Sequence, residues 1–243
     1  MTQFPKLVHR YFYLSTVIIL FIVFLPLLYY YTLDHKKNYS KIHKIRRLIS
    51  AKSLQIAGIR LEVNYQQPVD WSTNYIICPN HTSILDIAII SSLCKAPCSF
   101  MGKVELLKNP FTRIFFKTID IPVDRSSKGS SFQAFKKASS LLKEKKTMII
   151  FPEGKIDDTY PPLLHPFKKG AFKLAEINNV KILPVVIQNA WKLMWDDGAK
   201  YGSKPGIIKI NVLSPIEINS TDSELETKVY NMMKESWILY NKV

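Results

Sequence analysis

From Leu61 to the end of the chain, short apolar runs alternate with helical stretches, and this alternation constrains the fold more than any other feature. Seven runs are candidate β-strands, at 61–65, 75–79, 98–102, 119–123, 147–151, 181–187 and 207–213. Five segments are candidate helices, at 83–93, 110–118, 131–146, 169–178 and 223–240. Strands that alternate with helices predict an α/β domain with a central, mostly parallel sheet flanked by helices.

An apolar segment precedes this domain. The 23 positions from Tyr11 to Leu33 contain no Lys, Arg, Asp or Glu, and a helix of this length can cross the hydrocarbon core of a bilayer. Tyrosines stand at both ends, as aromatic residues do at membrane interfaces. Because Pro26 could kink the helix, insertion into one leaflet is the alternative to full spanning.

The charge of the chain is concentrated beside that segment. Net charge is +15, and residues 1–60 carry ten Lys or Arg against the single acid Asp34. Six of these basic residues lie between Leu33 and Arg47, so the positive-inside bias predicts a domain on the cytoplasmic side of a membrane. A nucleic-acid partner is not expected, because such proteins usually spread basic and aromatic residues over the folded domain.

Residues 38–57 form a second predicted helix. An apolar face opposes the basic residues and consists of Ile42, Ile45, Leu48, Ile49 and Ile56. This pattern is typical of a helix on anionic lipid, and the alternative is an ordinary helix with a solvated face. The sequence thus predicts membrane-associating helices at 1–58 and the α/β domain at 59–243.

The three cysteines, Cys78, Cys94 and Cys98, cannot all pair with one another. None stands in a Cys-x-x-Cys spacing, so free thiols in a reducing compartment are predicted. Cys78 lies in an apolar run and is expected in the core. Neither a metal-ligand spacing nor a Gly-rich nucleotide loop occurs, so no metal site is predicted.

Asn80–Asp86 (Asn-His-Thr-Ser-Ile-Leu-Asp) follows a predicted strand, at the kind of position where α/β sheets place ligand chemistry. On one continuous helix His81 and Asp86 would point about 140° apart, so their contact requires His81 in the loop. Such a pair can act as a general base and the carboxylate that orients it. The alternatives are a loop histidine without a task and a capping box between Ser83 and Asp86.

Phe151–Lys155 (Phe-Pro-Glu-Gly-Lys) follows another predicted strand. Pro and Gly alone indicate a turn, but backbone N–H groups beside a cation also suit a phosphate or a developing oxyanion. Arg125 is a further anion-binding candidate, because a guanidinium can grip phosphate in two places. Its alternative is an ion pair with Asp124 or another acid. The segment 166–170 (Pro-Phe-Lys-Lys-Gly) could add positive charge or begin a helix.

Four blocks in this order resemble the glycerolipid acyltransferase family, typified by 1-acyl-sn-glycerol-3-phosphate acyltransferase. The blocks are 80–86, 103–106 with 121–125, 151–154 and 183–186, and the resemblance spans about residues 60–215. It implies that His81 is the general base and Asp86 its partner. The resemblance also implies that substrate is bound by Asn80, Lys103, Arg125, Glu153, Gly154 and Lys155.

The resemblance implies a membrane-associated enzyme that transfers an acyl chain from acyl-CoA or acyl-carrier protein to the sn-2 hydroxyl of 1-acyl-glycerol-3-phosphate, giving phosphatidic acid. Its partners would be the lysophospholipid, the thioester donor and the membrane, without a protein cofactor. The family usually continues Thr-Arg after Gly154, whereas this chain has Lys155 and Ile156. The alternatives are therefore acylation of another lyso-lipid, such as an aminoacyl lipid or a remodelling lysophospholipid, and a non-catalytic lipid-binding protein.

Overall fold

A seven-stranded sheet forms the centre of the computed structural model, which describes residues 3–156, 159–195, 201–218 and 224–241. The strands are β1 (Ile59–Tyr65), β2 (Ile76–Pro79), β3 (Cys98–Lys103), β4 (Ile121–Val123), β5 (Thr147–Ile149), β6 (Ile182–Ile187) and β7 (Gly206–Val212). Their order is β1-β7-β6-β2-β5-β3-β4. All neighbours are parallel except β6 and β7, which are antiparallel. The predicted α/β fold with a mostly parallel sheet is confirmed.

Helices cover both faces of this sheet. They are α1 (Gln3–Thr32), α2 (Tyr39–Ile56), α3 (Asp86–Leu93), α4 (Pro110–Phe116), α5 (Lys128–Lys143), α6 (Gly170–Asn178), α7 (Ala190–Leu193) and α8 (Leu225–Asn241), with a 3-10 turn at Val104–Leu107. Ile76 and Ile77 follow each other in β2, and they belong to different cores. Since successive side chains of a strand point to opposite faces, both faces of the sheet are buried, as parallel sheets require.

The two cores hold different helices. Ile77 packs in a core that includes Leu54 of α2 and Ile89 of α3. Ile76 packs in a core that includes Ala138 of α5, Leu174 of α6 and Val229 of α8. The loops that follow β2, β4 and β5 leave the sheet at the same edge, the one formed by the carboxyl ends of these strands, because the strands run parallel within the sheet.

Helices α1 and α2 form a hairpin that packs on the domain. Tyr13 of α1 is buried in the same core as Ile59 of β1, while Phe21 and Leu28 pack with Ile42 of α2. The opposite face of α1 is apolar and exposed. Among the described residues, Pro5–Thr32 is the one helical segment whose length and composition would allow it to cross a membrane, with a mean hydropathy of 2.4 over an 18-residue window.

The apolar face of α2 packs on protein, contrary to the interpretation that it lies on lipid. Ile42, Ile45 and Ile49 are buried, although Leu48 and Ile56 are exposed. An amphipathic pattern only requires an apolar partner, and α1 supplies it here. Packing also crosses residue 58, because Leu54, Ala57 and Ile59 share one core. The division of the chain into 1–58 and 59–243 stays a prediction.

Candidate active site

Asn80 sets the start of the loop after β2. Its Nδ2 donates to the Ile187 carbonyl at 3.1 Å, and its Oδ1 accepts from the Ile187 N–H at 2.7 Å. The side chain thereby continues the β2–β6 ladder beyond Pro79. Asn80 is fully buried, so in this structure its side chain positions the next residue, His81, and offers no surface to a substrate.

His81 lies in the loop and folds back over the first turn of α3. Its Nδ1 is 3.0 Å from Oδ2 of Asp86, which is the first residue of that helix. The ring stacks on Phe151, with ring centroids 4.2 Å apart, and the side chain keeps 17% of its surface exposed. With Nδ1 held by a carboxylate, Nε2 is the nitrogen that can take a proton from a substrate.

Asp86 also begins the helix with the same oxygen. Oδ2 accepts from the backbone N–H groups of Thr82 at 2.7 Å and Ser83 at 2.8 Å. The hydroxyl of Ser83 in turn accepts from the Leu85 N–H. The helix-start role and the histidine partnership were alternatives from the sequence, but in the structure one buried carboxylate fulfils both.

Glu153 joins the loop of His81 to a second loop. Its Oε1 accepts from the His81 N–H at 2.7 Å, and its Oε2 accepts from the His165 N–H at 2.8 Å. Only 3% of Glu153 is exposed. The sequence placed this carboxylate among the substrate contacts, whereas its visible bonds hold the backbone of the candidate base.

Gly154 allows the Phe151–Lys155 turn to approach cations closely. Its φ of +75° lies in the left-handed region that favours glycine, and a Cβ there would lie 2.7 Å from Arg125 Nη1. The Gly154 carbonyl accepts a hydrogen bond from Arg125. Its N–H donates to the Phe151 carbonyl at 3.1 Å, so this donor is used within the turn and is not aimed at an oxyanion.

The predicted cations lie at the same edge of the sheet, after β3, β4 and β5. Lys103 ends β3, Arg125 follows β4, and Lys155 follows Gly154, and all three are exposed. Arg125 does not pair with Asp124 in the structure, because Asp124 accepts from the N–H and hydroxyl of Ser126 instead.

Lys168 joins these cations, although sequence reasoning did not count it among the site residues. Its N–H donates to the Pro152 carbonyl at 2.9 Å. Burial and the charges of Arg125 and Lys103 lower the pKa of Lys168 from its usual value. The only sequence signal was the basic segment 166–170, which is equally typical of a helix start.

The three cysteines are free and buried. Burial raises the pKa of the Cys78 thiol to about 12, so Cys78 is a core residue and not a thiolate nucleophile. Across the described ranges, no three His, Cys, Asp or Glu side chains are grouped as metal ligands would be.

Residues 60–188 match the acyltransferase family. The chain is 32% identical over 158 residues to 1-acyl-sn-glycerol-3-phosphate acyltransferase of Saccharomyces cerevisiae, covering 64% of this chain and 50% of that protein. It is 33% identical over 141 residues to the protein of the same name from Borreliella burgdorferi, covering 56% and 54%. The match thus spans about half the length of these relatives.

A solved structure has the same fold. The crystal structure of the 1-acyl-sn-glycerophosphate (LPA) acyltransferase PlsC from Thermotoga maritima aligns with a TM-score of 0.81 and 20% sequence identity. The alignment covers 100% of this chain and 99% of that one. The N-terminal helices are therefore included in the shared architecture.

Proposed function

This chain belongs to the acyltransferase family, and we propose that it acylates the sn-2 hydroxyl of 1-acyl-glycerol-3-phosphate to give phosphatidic acid. The donor is a fatty acyl thioester, either acyl-CoA or acyl-carrier protein. The proposal rests on one observation above all, the hydrogen bond between His81 Nδ1 and Asp86 Oδ2 beside the carboxyl end of β2. The names of the relatives support the choice of acceptor.

In the proposed mechanism, His81 Nε2 removes the proton of the sn-2 hydroxyl while the hydroxyl oxygen attacks the thioester carbonyl. Asp86 stabilises the imidazolium that forms and holds the ring orientation. The tetrahedral intermediate then collapses, the carbon–sulfur bond breaks, and the leaving thiolate takes the proton from His81. No acyl-enzyme forms, because attack is direct.

Cations near the Phe151–Lys155 turn would bind the acceptor's phosphate. Arg125 and Lys103 are exposed there, and Arg125 lies against the Gly154 carbonyl. Lys155 is the cation that stands next to Ile156, where the family usually has Arg. Charge-assisted hydrogen bonds to phosphate are among the stronger polar contacts in proteins.

The membrane is the proposed source of the acceptor and the site of the product. Residues on the exposed face of α1 include Ile19, Ile22 and Val23, and a protein surface of this kind is typical of lipid contact. The basic residues after α1 favour a domain on the cytoplasmic side.

An acceptor panel with one labelled acyl thioester, read by lipid mass spectrometry, tests the function. Wild-type protein should acylate 1-acyl-glycerol-3-phosphate at sn-2. His81→Ala should lose roughly 10²–10⁴-fold in rate while keeping its unfolding transition. Turnover near the wild-type rate in a folded His81→Ala protein would overturn the mechanism, and wild-type protein that releases no thiol from the donor would support a lipid-binding role instead.

Ile156 favours one second candidate, the acylation of a different lyso-lipid. The usual Arg at this position is absent, so acceptors that lack the terminal phosphate belong in the panel. A kcat/KM that is higher on an aminoacyl lyso-lipid or a lysophospholipid with another headgroup would replace the first proposal with this one.

A further inference from the structure

Ser83 connects the loop of the candidate base to a distant segment of the chain. Its backbone N–H donates to Asp86 Oδ2 at 2.8 Å, and the same oxygen holds the ring of His81. The Ser83 hydroxyl donates to the carbonyl of Met194, which directly follows α7. Ser83 and Met194 are both fully buried. Because a hydrogen bond between buried groups is costly to lose, the position of Met194 fixes that of Ser83.

Helix α1 bonds to the residue after Met194. The guanidinium of Arg10 donates through Nη1 to the Trp195 carbonyl at 2.8 Å, and a hydrogen bond from a charged donor is stronger than one between neutral groups. Two consecutive backbone carbonyls therefore bond to different parts of the protein. One accepts from the loop of the candidate base, and the other accepts from α1.

The beginning of α1 also holds the segment that pairs with Met194. Met194 and Ser203 form an isolated antiparallel bridge, and the Ser203 N–H donates to the Lys6 carbonyl at 2.9 Å. Nδ1 of His9 bonds with the Ser203 hydroxyl, while Nε2 lies 2.8 Å from the Ala57 carbonyl. Since a carbonyl can only accept, Nε2 carries the proton and Nδ1 accepts from the hydroxyl. Both segments of the bridge are thus bonded to α1.

We infer that Arg10 and His9 are positioning residues of the candidate active site. They hold the bridge between residues 194 and 203, and this bridge holds Ser83 and with it the carboxylate partner of the candidate base. The inference rests on the proposed function and deepens it. Both residues precede the part of the chain that matches the family, 60–188. Helix α1 thereby positions the site in addition to providing the membrane contact proposed for its outer face.

The first test measures the kinetics of Arg10→Met and His9→Leu with 1-acyl-glycerol-3-phosphate and the acyl thioester that wild-type protein uses. Each variant should lower kcat by about 10- to 100-fold with both KM values nearly unchanged, because a misplaced base impairs the transition state more than substrate binding. Arg10→Lys and His9→Gln keep a donor and an acceptor in reach and should recover part of the rate. Flotation with liposomes and the unfolding midpoint should stay as in wild type.

Arg60→Met is the matched control. Arg60 is exposed on β1, and its neighbours Ile59 and Leu61 pack in the core that also holds Tyr13 of α1. Since side chains alternate along a strand, Arg60 points to the other face of the sheet, away from α1. This variant loses the same charge and should keep wild-type kcat. A kcat in Arg10→Met equal to that in Arg60→Met would overturn the inference.

A double-mutant cycle tests whether Arg10 acts through Ser83. Ser83→Ala removes the hydroxyl that joins the loop to the bridge, so adding Arg10→Met to it should reduce kcat little further. Losses that multiply in the double variant would show that the two residues act independently, and the inference would then be wrong. A lower unfolding midpoint or weaker flotation in Arg10→Met, at normal kcat per folded molecule, would likewise leave Arg10 with only a structural or membrane role.

Hydrogen exchange provides a measurement that does not depend on turnover. The N–H groups of Thr82 and Ser83 donate to Asp86, and a loop that is held less firmly opens more often. In Arg10→Met, exchange in the peptide that contains residues 80–86 should be about 2- to 10-fold faster, the effect of one lost hydrogen bond, whereas Arg60→Met should match wild type. Unchanged exchange in Arg10→Met overturns the inference. Faster exchange in a protein whose wild-type form acylates no acceptor supports the positioning role and contradicts the proposed function alone.

Discussion

Asp86 Oδ2 accepts three hydrogen bonds, from His81 and from two backbone N–H groups. Oδ1 of the same carboxylate is buried and has no partner among the described residues. The oxygen that orients the candidate base is therefore also the one that starts α3, and catalysis and stability are coupled at this residue.

Asp86→Asn is expected to damage both properties. Asn can keep its oxygen at the Oδ2 position, but its NH₂ group then occupies the Oδ1 position, where the buried oxygen has no hydrogen-bond partner among the described residues. A buried donor left unsatisfied there costs about 1–3 kcal/mol. The rate should fall by roughly 10²–10⁴-fold because imidazolium stabilisation is lost. Chemical denaturation measures the loss of stability, and steady-state kinetics measures the loss of rate. The control is Asp124→Asn, since Asp124 is also a loop carboxylate, but its Oδ1 accepts from the N–H and hydroxyl of Ser126. Full activity per folded molecule in Asp86→Asn would leave only the helix-start role.

Glu153→Gln separates a positioning role from substrate contact. A glutamine can accept from one N–H group, while its own NH₂ faces the second donor, so the bridge between His81 and His165 is broken. A displaced base should lower kcat, with KM for both substrates nearly unchanged. The contrary result, a higher KM for the acceptor at normal kcat, would favour the substrate contact that the sequence predicted.

At the level of elements, Arg46 connects α2 to the sheet region through hydrogen bonds. Its guanidinium donates to Asp120 at 2.7 and 2.9 Å and to the Cys98 carbonyl at 2.8 Å, and it lies over the ring of Phe100. Asp120 also accepts from the Phe100 N–H. Burial raises the pKa of Asp120, although the charge of Arg46 opposes that rise. The sequence left open whether the basic residues of this helix lie on anionic lipid or in solvent, and Arg46 is buried instead.

Arg46→Met should therefore destabilise the protein, because it leaves the Asp120 carboxylate buried without its partner. The expected loss is about 3–5 kcal/mol in the free energy of unfolding. Arg46→Met with Asp120→Asn should recover part of it, since Asn still accepts from the Phe100 N–H and carries no charge. Lys181→Met removes the exposed pair with Glu217 and should cost less than about 1 kcal/mol. Equal losses in Arg46→Met and Lys181→Met would contradict the account.

At the scale of the whole molecule, α1 has two apolar faces, one buried against the domain and one exposed. Its inner face places Tyr13, Phe21 and Leu28 in buried cores, whereas its outer face leaves large apolar residues exposed along much of its length. Deleting residues 1–33 would expose the buried residues that pack against Tyr13, Phe21 and Leu28. Loss of membrane binding in that variant would therefore not separate lipid contact from unfolding.

Charges on the outer face of α1 give the cleaner test. Ile19 and Val23 are 59% and 65% exposed, and Ile19→Glu with Val23→Glu should abolish flotation with liposomes while leaving the unfolding midpoint unchanged, since charged side chains are costly in hydrocarbon. Ile177→Glu on α6, where the wild-type residue is 70% exposed, is the control and should float normally. If the double variant floats as well as wild type does, the outer face of α1 is not the membrane contact.

Local sequence patterns determined the elements of this protein. All seven predicted strands are present with ends shifted by at most two residues, because strand and helix periodicities and turn residues act over a few neighbouring positions. The His81–Asp86 pair was also accessible, since both residues lie within one loop and the helix turn that follows it. The order of the strands and the antiparallel β6–β7 pair were not, because they depend on contacts between distant segments.

Only the tertiary structure decided what surrounds the histidine and which surfaces are buried. Strands β2 and β5 are neighbours in the sheet although about 70 residues separate them, and this adjacency brings Glu153 to the backbone of His81. The same long-range packing sets Lys168 against Gly154 and buries Arg46 against Asp120. A charged residue in a sequence has many possible partners. The fold selects among them, because it decides which distant segment lies next to that residue.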